Sequence, residues 1–389
     1  MKRITVIILD SAGCGASPDA HEYGDAGSNT LAHVASAVPD MTLPNLAALG
    51  LGRIPGVTGL EKAPRPAACY GRMQEQSPGK DTTTGHWELA GLILDQPFPV
   101  YPDGFPDAIV RQLEHAFGRP VIGNIAASGT EIINRLGDEH VNTGYPIVYT
   151  SADSVLQIAA HEACIPVDRL YAFCRKARDI MQGAHAVGRI IARPFIGANG
   201  DYQRTASRKD FSLEPFTPTV LDRAAAAGYD VVGIGKIHDI YAGRGLTDYE
   251  KTKGNADGVN KTREWLGRPF NGLMLVNLVD FDMLYGHRND PEGYAGALMA
   301  FDQELPSILQ FIGPDDLLLI TADHGCDPTF PGTDHTREYV PLLAYTPALR
   351  QAVDLGTRST FADLAATVAA FLQLPGHTAG TSFLDQLYG

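Results

Sequence analysis

Cysteine is scarce in this sequence: five residues among 389, at Cys14, Cys69, Cys164, Cys174 and Cys326. The number is odd and no CxxC pair occurs, which excludes a disulfide framework and leaves thiols suited to a reducing compartment. Positive charge is also short. Lys and Arg total 31 against 45 Asp and Glu, a net charge of −14. Such a surface repels polyanions, so a nucleic-acid partner or a basic membrane-docking face is not expected. A small phosphorylated substrate stays possible wherever basic residues gather. No apolar run approaches a membrane span, and Ile4–Leu9 is too short even for a signal-peptide core. The expectation is a cytoplasmic protein with no membrane partner and no obligate protein partner. Internal repeats and low-complexity tracts are missing. Gly13-Cys14-Gly15 opens like a dinucleotide fingerprint, but Pro18 occupies the third glycine position, and Gly233-Ile234-Gly235-Lys236 lacks P-loop spacing.

Hydrophobic residues make up 44% and charged residues 20%, enough apolar surface for a large core. Ile4–Leu9, Val231–Ile234, Leu273–Val279 and Leu317–Ala322 are continuous apolar runs that read as buried strands of a parallel sheet. Helical patterns lie between them. Thr219–Ala227 is followed by Gly228 at a C′ position, and Gly293–Phe311 carries Pro306, which should kink or interrupt it. Phe361, Leu364, Ala365, Val368, Phe371 and Leu372 share one helical face, with Ser359 or Thr360 as N-cap. Alternating strands and helices imply an α/β core with helices on both faces of the sheet, and ligand sites at the carboxyl ends of its strands. Between residues 97 and 212, Pro, Gly and polar breaks separate short strand-like and helical pieces. This reads as a smaller inserted α+β cap domain within a core made of residues 1–96 and 213–389.

Three of the apolar runs end in carboxylates: Asp10, Asp282 and Asp323. His287, His324 and His335 follow closely, in the strings VDFDMLYGH, TADHG and GTDHTRE. One such Asp alone would be a helix cap, and one such His a structural residue. Three strand ends carrying the same pattern point to a metal centre. Imidazole mixed with carboxylate suits Zn, Mn or Fe rather than Ca, and six ligands suffice for two ions. A second motif, GKDTTTGHWE from Gly79 to Glu88, is either a polar turn or a hydroxyl nucleophile beside a metal. Its composition does not choose among Thr82, Thr83 and Thr84. Arg189, Arg193, Arg204, Arg208 and Lys209 crowd one window, with Lys236 and His238 after the Val231 run. On so acidic a chain this window is either a solvated loop or a phosphate-binding surface.

Taken in order, LDSAGCGASPDA, GKDTTTGHWELAG, YTSADSVLQIAAHE, GKIHDIYAGRG, NLVDFDMLYGHRND, ITADHGCDP and GTDHTREYVPLL resemble the phosphopentomutases. These form a branch of the alkaline phosphatase superfamily, related to cofactor-independent phosphoglycerate mutase. The resemblance runs from Ile4 to beyond Pro341. It implies an alkaline-phosphatase-like core and two Mn²⁺ per chain, one held by Asp282, His287 and His335, the other by Asp10, Asp323 and His324. It implies Thr82 as the phosphorylated nucleophile, and pentose phosphates, ribose or deoxyribose 1- and 5-phosphate, as substrates. A sugar bisphosphate, ribose 1,5-bisphosphate or glucose 1,6-bisphosphate, would prime the enzyme. Ser151 and Asp153 would face the sugar, with Arg189, Arg193, Arg208 and Lys236 as candidate phosphate contacts. The inserted domain would then act as a lid against water. Two rivals share the core: a metal-dependent phosphomonoesterase and a phosphoglycerate-type mutase, whose usual insert is longer. Cys326, beside the DHG string, is either a neighbour of the metal shell or a ligand to it.

Overall fold

The computed structural model describes residues 2–151 and 153–388. The chain divides into two compact units, Met1–Gln96 with Pro215–Gly389, and Pro97–Glu214.

The first unit is built on an eight-stranded sheet, in the order Asp248–Glu250, Asp230–Ile234, Gly272–Leu278, Arg3–Leu9, Asp316–Thr321, Val340–Tyr345, Cys69–Met73, Asp354–Arg358. The four apolar runs form adjacent parallel strands, with Arg3–Leu9 between Gly272–Leu278 and Asp316–Thr321. Every residue of Gly272–Leu278 and of Asp316–Thr321 is buried, which requires a covering layer on each face. The sheet is not wholly parallel. Val340–Tyr345 pairs antiparallel with both its neighbours, so it alone runs against the rest. Its apolar residues resemble those of the other strands, and periodicity carries no sign of direction.

The helices follow local rules. Val220–Ala226 starts in a capping box between Thr219 and Asp222 and is closed by Gly228 at φ +81°. The helix Ala362–Leu372 follows Thr360, whose hydroxyl accepts from Ala362 N at 3.1 Å. Pro306 does not interrupt its helix, which runs from Pro291 to Leu309. A proline there leaves the carbonyl four residues earlier, that of Asp302, without its helical N–H. Asn45 Nδ2 donates to that oxygen at 3.0 Å and fills the gap.

The second unit has its own six-stranded sheet, in the order Ile122–Ala126, Ile147–Thr150, Val155–His161, Arg189–Ala198, Asp201–Arg204, with Lys209–Ser212 also pairing Arg189–Ala198. Alternate residues of its central strands face opposite ways. Leu156, Ile158, Ile190 and Ala192 pack with Leu113 and Phe117 of the Asp107–Phe117 helix and Leu170 and Phe173 of the Val167–Ile180 helix. Ile147, Tyr149, Ala159 and Phe195 pack with Ile132 and Ile133 of the Gly129–Thr143 helix.

One short helix of the first unit, Thr82–Leu89, is anchored by a single buried carboxylate. Glu88 accepts from Gln76 N at 2.9 Å, Ser77 N at 2.6 Å, Thr360 Oγ1 at 2.8 Å and Phe361 N at 3.0 Å. It joins the loop before the helix to the start of the Ala362–Leu372 helix. Glu88→Gln puts an amide donor among these donors. The expected loss is about 2–3 kcal/mol of unfolding free energy in a denaturant titration. A change below about 0.5 kcal/mol would show that the carboxylate does not anchor the helix.

Candidate active site

The site is assembled at the carboxyl edge of three neighbouring parallel strands. Asp10 follows Arg3–Leu9. Asp282 lies in the single-turn π-helix Phe281–Tyr285 that follows Gly272–Leu278, and His287 in the next turn, Gly286–His287–Arg288. Asp323 and His324 follow Asp316–Thr321. His335 comes from the loop that enters Val340–Tyr345, and Thr82 opens the Thr82–Leu89 helix with Asp81 as its N-cap. Asp81 accepts from Thr83 N at 3.0 Å and Thr84 N at 3.1 Å, and Thr84 Oγ1 donates to it at 2.5 Å. Thr84 is therefore committed to the cap and fully buried.

All six expected ligands and Thr82 meet here. His324 Nε2 lies 3.4 Å from Asp10 Oδ1, 3.3 Å from Asp323 Oδ2 and 3.2 Å from Thr82 Oγ1. The Asp282 carboxylate faces two imidazoles, with Oδ1 3.3 Å from His335 Nε2 and Oδ2 3.4 Å from His287 Nε2. Asp10, Asp323 and His324 form one cluster able to hold an ion, and Asp282, His324 and His335 form another. A third grouping adds the Cys326 thiol to Asp282 and His287. That thiol is buried, points at the Asp334 carbonyl at 3.6 Å, and burial pushes its pKa far up.

The donor set fits cations. Asp10 Oδ1, Asp282 Oδ1, Asp323 Oδ2 and His335 Nε2 are buried and make no hydrogen bond. Only imidazole nitrogens at ion-pair distance face these oxygens; buried carboxylate oxygens without a hydrogen bond are costly, and a bound cation would satisfy them together. Proton sharing supplies only part of that compensation. Burial alone would push the His324 imidazole down, yet Asp323, Asp10 and Asp282 hold its pKa well above the usual value. Burial would raise Asp282, but His335, His324 and His287 pull it far below the ordinary carboxylate range.

Residues outside the expected set fix this geometry. Ser11, in the left-handed region at φ +73°, turns its N–H to Asp323 Oδ1 at 3.1 Å. Asn277 Nδ2 donates to Asp10 Oδ2 at 2.8 Å and lies 3.4 Å from His86 Nε2. His86 Nδ1 donates to the Thr82 carbonyl at 2.9 Å and lies 2.9 Å from Asp323 Oδ2. Arg337, almost fully buried, donates to Glu75 at 2.6 Å, to the Gly79 carbonyl at 2.6 Å and to Asp19 at 2.9 Å. It ties the His335 loop to the loop before Thr82. Lys80 Nζ bridges Asp25 at 3.1 Å and Asp334 at 3.2 Å. Lys80, His86, Glu88 and Arg337 all lie inside the motif strings, and only their partners reveal what they do.

The remaining expected residues are placed differently. Lys236 belongs to the first unit, just after Asp230–Ile234, where it opens the Ile237–Ile240 turn. Ser151, Asp153, Arg189, Arg193 and Arg208 belong to the second unit. Arg189 lies 3.6 Å from Asp153 and 3.7 Å from Asp210. Arg208 binds Asp210 through two hydrogen bonds of 2.8 Å, and Arg193 Nε donates to Gln157 at 3.0 Å.

A sheet that delivers Asp and His to one edge is the hallmark of a metalloenzyme, and the Metalloenzyme superfamily matches residues 2–376. The chain belongs to that superfamily. Within it, a phosphopentomutase from Acetivibrio thermocellus is 60% identical over 387 residues, covering 100% of both chains, and one from Carboxydothermus hydrogenoformans is 58% identical over 388 residues with the same coverage. The chain belongs to the phosphopentomutase family and is an isomerase. Among solved structures, the PH0037 protein of Pyrococcus horikoshii (TM-score 0.51, 15% identity, 97% of this chain and 99% of that one) shares the fold. So does Leishmania mexicana phosphoglycerate mutase (TM-score 0.51, 12% identity, 98% and 97%). Among the described residues no helix is long and apolar enough to cross a membrane.

If the unpartnered atoms are ligands, divalent cation stabilises the folded state. At a hundredfold excess over its dissociation constant it adds about 2.7 kcal/mol. Chelated protein should melt several degrees lower than reloaded protein in a calorimetric scan. Identical midpoints would rule out the metal reading.

Proposed function

We propose that the chain interconverts ribose 1-phosphate and ribose 5-phosphate, and their 2-deoxy analogues, in the cytoplasm, through a phosphorylated Thr82. The observation that carries this reading is the Thr82 hydroxyl. It opens a helix and lies 3.2 Å from His324 Nε2, beside the unpartnered oxygens of Asp10 and Asp323. The relatives' shared name supports the pentose substrate.

Asp10, Asp323 and His324 would hold one Mn²⁺, and Asp282, His287 and His335 a second. When bound, such ions lower the pKa of a coordinated hydroxyl and offset charge on the transferring phosphoryl group. Everything else falls to the chain. Asp81 fixes the helix start, and with it the backbone from which Thr82 Oγ1 meets His324. His86, through its bond to the Thr82 carbonyl, holds the residue's backbone against Asp323. Phospho-Thr82 passes its phosphoryl group to the free hydroxyl of a pentose monophosphate, giving a 1,5-bisphosphate. Thr82 Oγ1 then takes the other phosphoryl group, which releases the isomer and restores the phosphoenzyme. A sugar bisphosphate, ribose 1,5-bisphosphate or glucose 1,6-bisphosphate, would charge Thr82 at the start. Ser151 and Asp153 would recognise the sugar, and Arg189, Arg193, Arg208 and Lys236 the phosphate that is not reacting. Water competes with the sugar hydroxyl at each turn, and excluding it is what separates a mutase from a phosphatase.

In a coupled assay from ribose 1-phosphate, Thr82→Ala should lose at least about 10³-fold in turnover while its metal content stays unchanged. Mass spectrometry of primed wild-type protein should find one phosphoryl group on Thr82. Retained turnover in Thr82→Ala would remove the nucleophile. Wild-type protein that releases inorganic phosphate without forming isomer would be a phosphomonoesterase instead.

A further inference from the structure

Lys80 stands in the loop that leads to the Thr82–Leu89 helix, two residues before Thr82. A lysine in a loop ordinarily keeps its head in water. The side chain of this one is only 19% exposed, and its ammonium sits between two carboxylates, 3.1 Å from Asp25 Oδ2 and 3.2 Å from Asp334 Oδ2. Asp25 is buried, while Asp334 is exposed. An ion pair with an exposed carboxylate adds little to stability, so the second contact is to be judged by what it holds in place.

Both carboxylates are tied to the chain around His335. Asp334 Oδ1 accepts from His335 N at 2.9 Å, and Asp25 Oδ2 accepts from Arg337 N at 2.9 Å. One ammonium therefore grips the backbone on either side of the histidine. The same segment reaches a second candidate ligand, since the Thr333 carbonyl accepts from His287 Nδ1 at 2.6 Å and leaves Nε2 toward Asp282 at 3.4 Å. The two candidate cation sites differ in their support. Asp10, Asp323 and His324 follow closely on paired strands. His335 is delivered by a stretch whose approach, residues 331–334, is exposed and irregular. Arg337 anchors the far end of that stretch to Glu75 and the Gly79 carbonyl, and Lys80 holds the part beside His335.

We propose that Lys80 is a positioning residue which, from the loop that leads to Thr82, sets His335 for the cation site of Asp282, His287 and His335. It acts through Asp334 and Asp25 rather than on the ion or the substrate. Electrostatics and positioning have opposite signs here. A positive charge near a cation site repels the ion, so its removal alone would tighten binding. Loss of a contact that orients a ligand loosens it. The positioning role stands on these contacts; that it serves phosphoryl transfer rests on the mutase function proposed above.

The test titrates Mn²⁺ into full-length, chelator-stripped protein by calorimetry. His287→Ala identifies the binding step that belongs to this site, because it should abolish that step alone. Lys80→Met should weaken the same step about tenfold and leave the other unchanged. Lys80→Arg, which keeps the charge and the donors, should restore most of the affinity. In the coupled assay from ribose 1-phosphate, the Mn²⁺ concentration that gives half-maximal turnover should rise by the same factor in Lys80→Met. Unchanged or tighter binding at that step overturns the proposal. So does equal weakening of both steps, which would mark a general loosening, and so does a titration in which His287→Ala removes no step. Should Lys80→Met fail to fold, Lys80→Gln is read in the same way. Should the wild type release phosphate and form no isomer, the mutase reading fails, while a Lys80-dependent Mn²⁺ step would still uphold the positioning role.

Discussion

Three carboxylates are forced together because three parallel strands are neighbours. Gly272–Leu278, Arg3–Leu9 and Asp316–Thr321 lie side by side and end at the same edge, so Asp282, Asp10 and Asp323 cannot avoid one another. Buried like charges repel and lose their water, and they persist only when something positive stands among them. His287, His324 and His335 stand against these carboxylates, and the oxygens that make no hydrogen bond mark where metal would bind. The surrounding bonds of Ser11, Asn277 and His86 can be understood as holding this unfavourable arrangement in register. The site is a consequence of strand order before it is a consequence of side-chain choice.

Much of this was legible in the sequence, for a physical reason. A strand buried on both faces must be apolar throughout, so its end is visible as the first charged residue, and three such ends carried Asp. The hydroxyl loop was visible as a motif, but its composition left three threonines equivalent. The structure separates Thr84, whose hydroxyl is spent on Asp81, from Thr82, which faces His324. Direction of the Val340–Tyr345 strand was not legible, nor the continuity of the helix through Pro306. Each depends on a partner far along the chain: the flanking strands in one case, Asn45 in the other.

The residues that sequence reasoning passed over share this property. Glu88 bonds to Thr360 across 272 positions, and Arg337 to Glu75 across 262. Neither stands out by type, since a lone Glu or Arg is usually solvated. Their burial and the number of groups they satisfy define their roles.

The reversed strand has a consequence of its own. Because Val340–Tyr345 runs against the sheet, its beginning lies at the edge where the parallel strands end, and the segment leading into it reaches the site directly. That segment is clamped just before the strand: Glu338 accepts from Gly15 N and Thr30 N, and Tyr339 N donates to the Gly15 carbonyl. Upstream of the clamp, residues 329–334 are mostly exposed and hold no regular element. The last residues of that stretch reach back to the site, the Thr333 carbonyl to His287 Nδ1 at 2.6 Å and Asp334 to Lys80 at 3.2 Å, so the reversed strand brings its own approach into the reaction centre.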